Sequence, residues 1–217
     1  MITKYGLNTF LIAAGFSCLL IIASFFIQNS WIKYPILAVG ITFLLFNLNF
    51  FRDPDRKTPD VKNSVISPAD GKVVILKDVH EKRFLDCDAT QISIFMSPLD
   101  VHVNRIPIDG TIDYFNYVKG DYLVAFHEKA DVRNERSEIG ITSRFGKVLF
   151  TQVAGFIARR IIFDIKKGDT VTAGKRFGMI KFGSRSDVIV PKGWKPMVKM
   201  GDKVKGGETI LFEKIDD

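Results

Sequence analysis

Gly168-Asp169-Thr170-Val171-Thr172-Ala173-Gly174 returns 33 residues later as Gly201-Asp202-Lys203-Val204-Lys205-Gly206-Gly207, and the reading of this repeat decides the fold class. Each copy reads as a tight hairpin turn. The first Gly and Asp supply turn conformations, the central Val points into a core, and the last Gly lets the chain reverse again. Outward from the repeat, short β-branched or aromatic runs are punctuated by Gly, Pro and Asp: Gly71–Leu76, Gln91–Met96, Gly110–Val118, Lys147–Val153, Arg160–Ile165, Met179–Phe182 and Asp187–Val190. Seven runs at this spacing predict a mainly β domain, a sandwich or barrel-like arrangement. Asp121–Glu138 is polar with weak periodicity, which predicts an irregular or briefly helical stretch, a candidate flap.

The paired hairpins resemble those of biotinyl and lipoyl carrier domains, which are flattened sandwiches of short strands. The likeness is one of architecture. The modified lysine of those carriers sits in a hairpin motif that this chain does not reproduce, because Lys199-Met200 follows Val198 and not Met.

Upstream the composition changes. Of the first 51 residues 34 are apolar, whereas residues 52–217 hold all 24 acidic groups and 29 of the 31 basic ones. Tyr5 to Ile32 carries no charge, and the window Thr9–Ile27 spans 19 residues; at about 1.5 Å per residue that approaches the roughly 30 Å of a hydrocarbon core. A second uncharged run, Tyr34–Phe51, follows the polar interruption of Gln28, Asn29, Ser30 and Lys33. The expectation is a transmembrane helical hairpin, residues 1–51, with helices over about 9–27 and 34–51, followed by a β domain over 52–217. Asn47 and Asn49 weaken the second run, and a half-inserted interfacial segment is the alternative. A cleaved signal peptide would not be followed at once by a second apolar run. Lys4 before the first span and Arg52, Arg56 and Lys57 after the second, against Lys33 between them, place both ends on the cytoplasmic side of a cell membrane.

The two cysteines, Cys18 and Cys87, fall in different parts of the chain, which suits a reducing compartment. The net charge of +7 is spread out, with no basic block of the kind that makes a nucleic-acid arm. None of His80, His102 and His127 has a zinc-ligand spacing, so no metal is expected, and no Gly-rich phosphate loop leads into a helix. Three local patterns remain: Ser67-Pro68-Ala69-Asp70-Gly71, Asp100-Val101-His102-Val103-Asn104-Arg105-Ile106-Pro107, and Phe182-Gly183-Ser184-Arg185. Singly each has an ordinary reading, as a turn, a polar strand end and a bulge; His80 and His127 read as surface residues.

Together, and in this order, they resemble the phosphatidylserine decarboxylases, more closely the short, membrane-anchored form. The likeness also takes in Phe50-Phe51-Arg52-Asp53-Pro54-Asp55-Arg56, Arg133-Asn134-Glu135-Arg136 and Ala158-Arg159-Arg160. The resemblance implies a proenzyme that cuts its own Gly183–Ser184 bond, giving a β chain of residues 1–183 and an α chain of 184–217 that stay together. Ser184 then becomes an N-terminal pyruvoyl group, the covalent cofactor, which forms a Schiff base with the amine of a membrane phospholipid and draws off the electrons left when carbon dioxide departs. It implies His102 as general acid or base, Asp70 as a processing residue, and Arg105 and Arg136 as candidates for the substrate's phosphate or carboxylate.

One position departs from the pattern. Longer members have a second histidine three residues after the first, where this chain has Arg105, and an arginine is no base near neutral pH. His102 then does both jobs, or Asp70 assists cleavage alone or through water, or strain at Gly183 lowers the demand for a base. The competing reading is a non-catalytic, membrane-tethered carrier or adaptor domain, which accounts for the anchor and the repeat but leaves Gly183-Ser184 and the His102 motif unexplained.

Overall fold

The computed structural model describes residues 1–60, 63–120, 134–155, 160–181 and 184–215. The chain divides into two compact units, Met1–Pro54 and Asp55–Asp217. The first unit holds two helices, α1 (Leu7–Phe25) and α2 (Ser30–Phe50), each long and apolar enough to cross a membrane. Lys33 lies within the first turn of α2 and not in the connection, because Asn29 caps the helix by accepting from Trp31 N–H at 3.0 Å and so starts it earlier than the apolar run suggests. Gly40 lets the helices approach: a Cβ there would stand 2.9 Å from Ile21 Cγ1. The polar residues that weaken the apolar runs satisfy themselves on the preceding turn, with Asn47 Nδ2 donating to Phe43 O at 2.7 Å and Ser17 Oγ to Ala13 O at 2.8 Å.

The second unit is mainly β. Its strands are β1 (Ser64–Ile66), β2 (Gly71–Glu81), β3 (Cys87–Met96), β4 (Val103–Arg105), β5 (Gly110–Val118), β6 (Arg136–Ser143), β7 (Gly146–Ala154), β8 (Ile161–Phe163), β9 (Thr170–Val171), β10 (Arg176–Ile180), β11 (Ser184–Pro191), β12 (Trp194–Pro196), β13 (Lys203–Val204) and β14 (Ile210–Lys214). An eight-stranded sheet runs β13-β2-β3-β11-β7-β6-β5-β9, and two three-stranded sheets run β4-β10-β8 and β1-β14-β12. Among the described residues every strand pairing is antiparallel.

The repeated hairpins supply β9 and β13, the two edges of the large sheet. Their glycines share left-handed backbones, φ 93° and 79° at Gly168 and Gly174 against 93° and 80° at Gly201 and Gly207, and Val171 and Val204 are buried. The repeat is the visible part of a larger duplication. β2 and β5 carry the same register shift, between Val73 and Ile75 and between Ile112 and Tyr114, and each small sheet joins one earlier strand, β1 or β4, to two later ones. A single core cluster fills one face of the large sheet, including Ile92, Ile94, Ile139, Ile141, Phe150, Val188, Phe177 and Phe212. Phe150 and Phe177 meet edge to face at 5.3 Å. A smaller cluster, Leu85, Ala89, Leu149 and Ile189, covers the other face.

The mainly β domain behind two apolar helices is thus the fold that the punctuation of the sequence predicts. Boundaries differ where polar residues occupy strands. Of the Asp121–Glu138 segment, residues 121–133 lie outside the described residues, but Arg136–Glu138 open β6, because Arg136 and Glu138 pair with each other on the outer face at 2.7 Å. β11 begins at Ser184 and not at Asp187, since Ser184, Arg185 and Ser186 are all buried with partners.

Candidate active site

The site begins with a strand in the middle of the large sheet. β11 is flanked by β3 and β7, and its first residue, Ser184, stands opposite Met96 on one side and Ala154 on the other. Alternation sends Ser184, Ser186, Val188 and Val190 toward the main core and Arg185, Asp187 and Ile189 to the opposite face. Ser184 is fully buried, and its hydroxyl donates to Met96 Sδ at 3.1 Å. Upstream, β10 ends at Ile180 in a different sheet, so the chain changes sheets within the three residues before Ser184. Gly183 lies outside the described residues.

The second element of the site arrives through β4. His102, fully buried, precedes this strand, and its Nδ1 lies 2.9 Å from Asp100 O. A carbonyl can only accept, so Nδ1 carries the proton and, in the neutral ring, Nε2 carries the lone pair. Asp100 is set by a tight turn, its Oδ2 accepting from Ser97 N–H at 2.8 Å. The His102 carbonyl accepts from Ile180 N–H at 3.4 Å, and Asn104 Nδ2 points at Met96 Sδ at 3.9 Å. The chain on both sides of the sheet crossing is therefore tied to the His102 segment.

Asp70 lies at the neighbouring turn with its oxygens engaged: Oδ1 accepts from Gly206 N–H at 2.8 Å and Oδ2 from Arg56 Nη2 at 2.7 Å. Its duplicate, Asp109, holds the other hairpin in the same way, accepting from Ala173 N–H at 2.7 Å. Both aspartates fasten an edge hairpin, and neither named bond of Asp70 goes to His102 or Ser184. Arg105 is buried between the two hairpins; its Nη1 donates to Gly174 O at 2.9 Å and its Cδ would lie 2.6 Å from a Cβ at Gly207. Arg136 donates to Glu138 Oε1 and projects from the face of the sheet opposite to the Ser184 side chain. His80 is exposed and paired with Asp88 at 2.8 Å, and His127 lies outside the described residues.

The comparison with known families decides what this arrangement belongs to, for residues 43–212 match the family model described as phosphatidylserine decarboxylase. The chain belongs to the phosphatidylserine decarboxylase family. It is 47% identical over 211 residues to a phosphatidylserine decarboxylase proenzyme of Chlorobium phaeovibrioides, covering 97% of this chain and 95% of that one. A proenzyme of the same name from Chlorobium limicola is 46% identical over 211 residues, 97% of this chain and 99% of the relative. A third, from Salinibacter ruber, is 46% identical over 187 residues, 84% and 82% of the two chains.

Several residues of this phosphatidylserine decarboxylase family member escape a reading of motifs. Asn104 sits inside the His102 motif with nothing in the sequence to give it a role, and its partner Gln152, at 2.9 Å, is the one amide side chain of β7. Lys181, three residues before Ser184, is joined through its backbone N–H to Arg160 O at 3.2 Å; burial and the nearby Arg160 charge hold its ammonium below the usual lysine range. Arg185 and Asp187 form a fully buried pair, with Nε to Oδ1 at 2.8 Å and Nη2 to Oδ2 at 3.0 Å. The signal for this pair was present in the sequence as two charges two apart in a strand, where they share one face.

Proposed function

We propose that this chain decarboxylates phosphatidylserine to phosphatidylethanolamine and carbon dioxide in phospholipid biosynthesis, at a pyruvoyl group made from Ser184 by cleavage of the Gly183–Ser184 bond. The observation that carries the reading is a fully buried serine hydroxyl at the head of a central strand, donating to the Met96 sulfur that Asn104 also meets, two residues beyond a buried histidine whose Nε2 carries the lone pair. Family membership favours this over a carrier or adaptor role.

Attack of Ser184 Oγ on the Gly183 carbonyl exchanges the amide for an ester. Loss of the Gly183 carboxylate from Cβ leaves a dehydroalanine, and its hydrolysis releases ammonia and gives the ketone. His102 Nε2 is the base within this segment. Asp70 contributes by fixing the turn that abuts Asn104, since Pro68 O accepts from Arg105 N–H at 2.9 Å and from Asn104 Nδ2 at 3.4 Å. The residues fit the group they would carry. β11 is paired on both flanks from its first residue, so after scission the new terminus at 184 keeps its place between β3 and β7. When formed, the pyruvoyl group supplies a ketone that accepts the substrate amine and withdraws the electrons released with carbon dioxide.

His102 then protonates the carbon that lost its carboxylate, a contribution of about 10²- to 10⁴-fold. Arg160 and Lys181 supply positive charge for the phosphodiester beside the reacting headgroup. The two apolar helices keep the domain with its membrane-bound lipid, on the cytoplasmic face according to Lys4, Arg52, Arg56 and Lys57. The fragments 1–183 and 184–217 remain together because β11 is held between strands of the larger one.

The test is reductive trapping. Purified full-length protein incubated with labelled phosphatidylserine and cyanoborohydride should carry label on the fragment beginning at 184. Label confined to lysines of the larger fragment, or absent while the lipid is consumed, would overturn the reading.

A further inference from the structure

A buried hydroxyl must find an acceptor, and the acceptor that Ser184 finds is unusual. On β7 its neighbour is Ala154, which offers no side-chain polar atom; on β3 it is Met96, whose thioether sulfur takes the hydroxyl at 3.1 Å. Thioether sulfur is a weak acceptor and no base at neutral pH. It can aim an O–H without removing the proton, and it gives the proton up to a true base at little cost.

Methionine is flexible, yet this sulfur is braced. Asn104 Nδ2 points at it from 3.9 Å, and the amide cannot turn round because Asn104 Oδ1 accepts from Gln152 Nε2 at 2.9 Å. Gln152 is fixed in turn, its Oε1 accepting from Ser137 Oγ at 2.8 Å. Ser137, Gln152, Asn104, Met96 and Ser184 come from five strands, and all five are fully buried. Room for the row depends on Gly178, where a Cβ would stand 3.2 Å from Gln152 Nε2 and 2.2 Å from Ile162 O. A file of neutral polar groups through an apolar core is costly to desolvate, and this one terminates on the hydroxyl that attacks the chain.

We propose that Met96, braced by Asn104 and Gln152, is a positioning residue that aims the Ser184 hydroxyl during maturation and takes no part in lipid turnover. The inference rests on Ser184 being the residue that attacks its own backbone. In that reaction Oγ leaves with the Gly183 carboxylate, so the mature residue 184 has no hydroxyl to donate and the contact with Met96 belongs to the precursor alone.

The experiment follows cleavage of the full chain after cell-free synthesis, by intact mass over time, for the parent and for Met96→Leu and Met96→Gln. Met96→Leu keeps volume and apolarity but removes the acceptor; Met96→Gln keeps an acceptor of similar reach. The expected order of maturation rate is parent, then Gln, then Leu, with Leu slowed about tenfold, the effect of one hydrogen bond. Turnover per ketone-bearing chain should stay within about twofold of the parent in both variants. Asn104→Ala should also slow cleavage, with melting curves confirming that each variant folds. Packing alone predicts the reverse order, since leucine suits an apolar core better than glutamine. Met96→Leu maturing at the parent rate, or ahead of Met96→Gln, overturns the inference while leaving the function intact. A parent chain that decarboxylates lipid without ever being cut overturns both.

Discussion

Ser184 and Arg185 are adjacent in sequence and lie on opposite faces of one sheet, and the two faces are built on different principles. On the core face the polar row is neutral: two hydroxyls, a thioether and two amides. On the outer face they are charged and closely matched, with Arg185 forked onto Asp187 and with Glu138 taking Arg83 at 2.8 Å, Arg136 at 2.7 Å, and Tyr114 and Asn116 at 3.0 Å each. Charge pairs fix strand positions firmly, whereas weakly bound neutral groups leave a nucleophile able to move its proton. Arg136, a candidate for substrate binding in the sequence, thus lies on the charged outer face, and Ser184, the proposed nucleophile, on the neutral one.

The largest effect should come from the core face, where His102→Ala lowers turnover about 10²- to 10⁴-fold, read from radiolabelled carbon dioxide release per mature chain. Turnover within threefold of the parent would remove His102 from the mechanism. On the outer face Arg185→Ala leaves Asp187 buried without its charge partner and should cost about 3–5 kcal/mol of stability, measured by denaturant midpoint. Replacing both, as Arg185→Met with Asp187→Leu, should recover most of that loss; a double variant as unstable as the single one would contradict the scaffold role. Lys181→Met should raise KM about tenfold, one charge-assisted contact, with little change in kcat. Because the Lys181 ammonium is held below the usual range, KM should begin to rise at an alkaline pH where an ordinary lysine is still charged. An equal fall in kcat with KM unchanged would place Lys181 elsewhere.

The smallest effect is a pH dependence. Burial opposes ionisation of Glu138, but hydrogen bonds from Arg136, Arg83 and Asn116 outweigh it and hold the carboxyl at about 2, below its ordinary 4.5. The unfolded chain therefore binds the proton first. The stability contributed by Glu138 is complete above about pH 4.5 and is lost as pH falls toward about 2. Glu138→Gln should be less stable at neutral pH and show a flatter decline over that window, and an unchanged slope would deny Glu138 its part.

The fold was legible where alternation and turn chemistry cooperate. Gly110–Val118 reads as a strand and is one, and the two Gly-Asp repeats read as turns, which the structure places at the edges of the large sheet. Legibility failed where buried positions are polar, as at Ser184 to Ser186 and at Arg136 to Glu138, because a period of two in hydrophobicity disappears when both faces are satisfied by partners. The site followed the same rule. The order of motifs nominates Ser184 and His102, but Met96 and Gln152 carry no mark in the sequence, since a methionine and a glutamine in strands are ordinary until β3, β7 and β11 are laid side by side. Asp70 and Arg105 were legible as important and not as to why: each secures a hairpin edge, a task that appears only with the duplication.

The most direct measurement is the intact mass of purified, active full-length protein beside that of Ser184→Ala. The account predicts two polypeptides for the parent, the smaller being residues 184–217 with a ketone in place of its amino terminus, and one uncut, inactive polypeptide for the variant. A parent that is active as a single chain, or a Ser184→Ala variant that still releases carbon dioxide from phosphatidylserine, would contradict it.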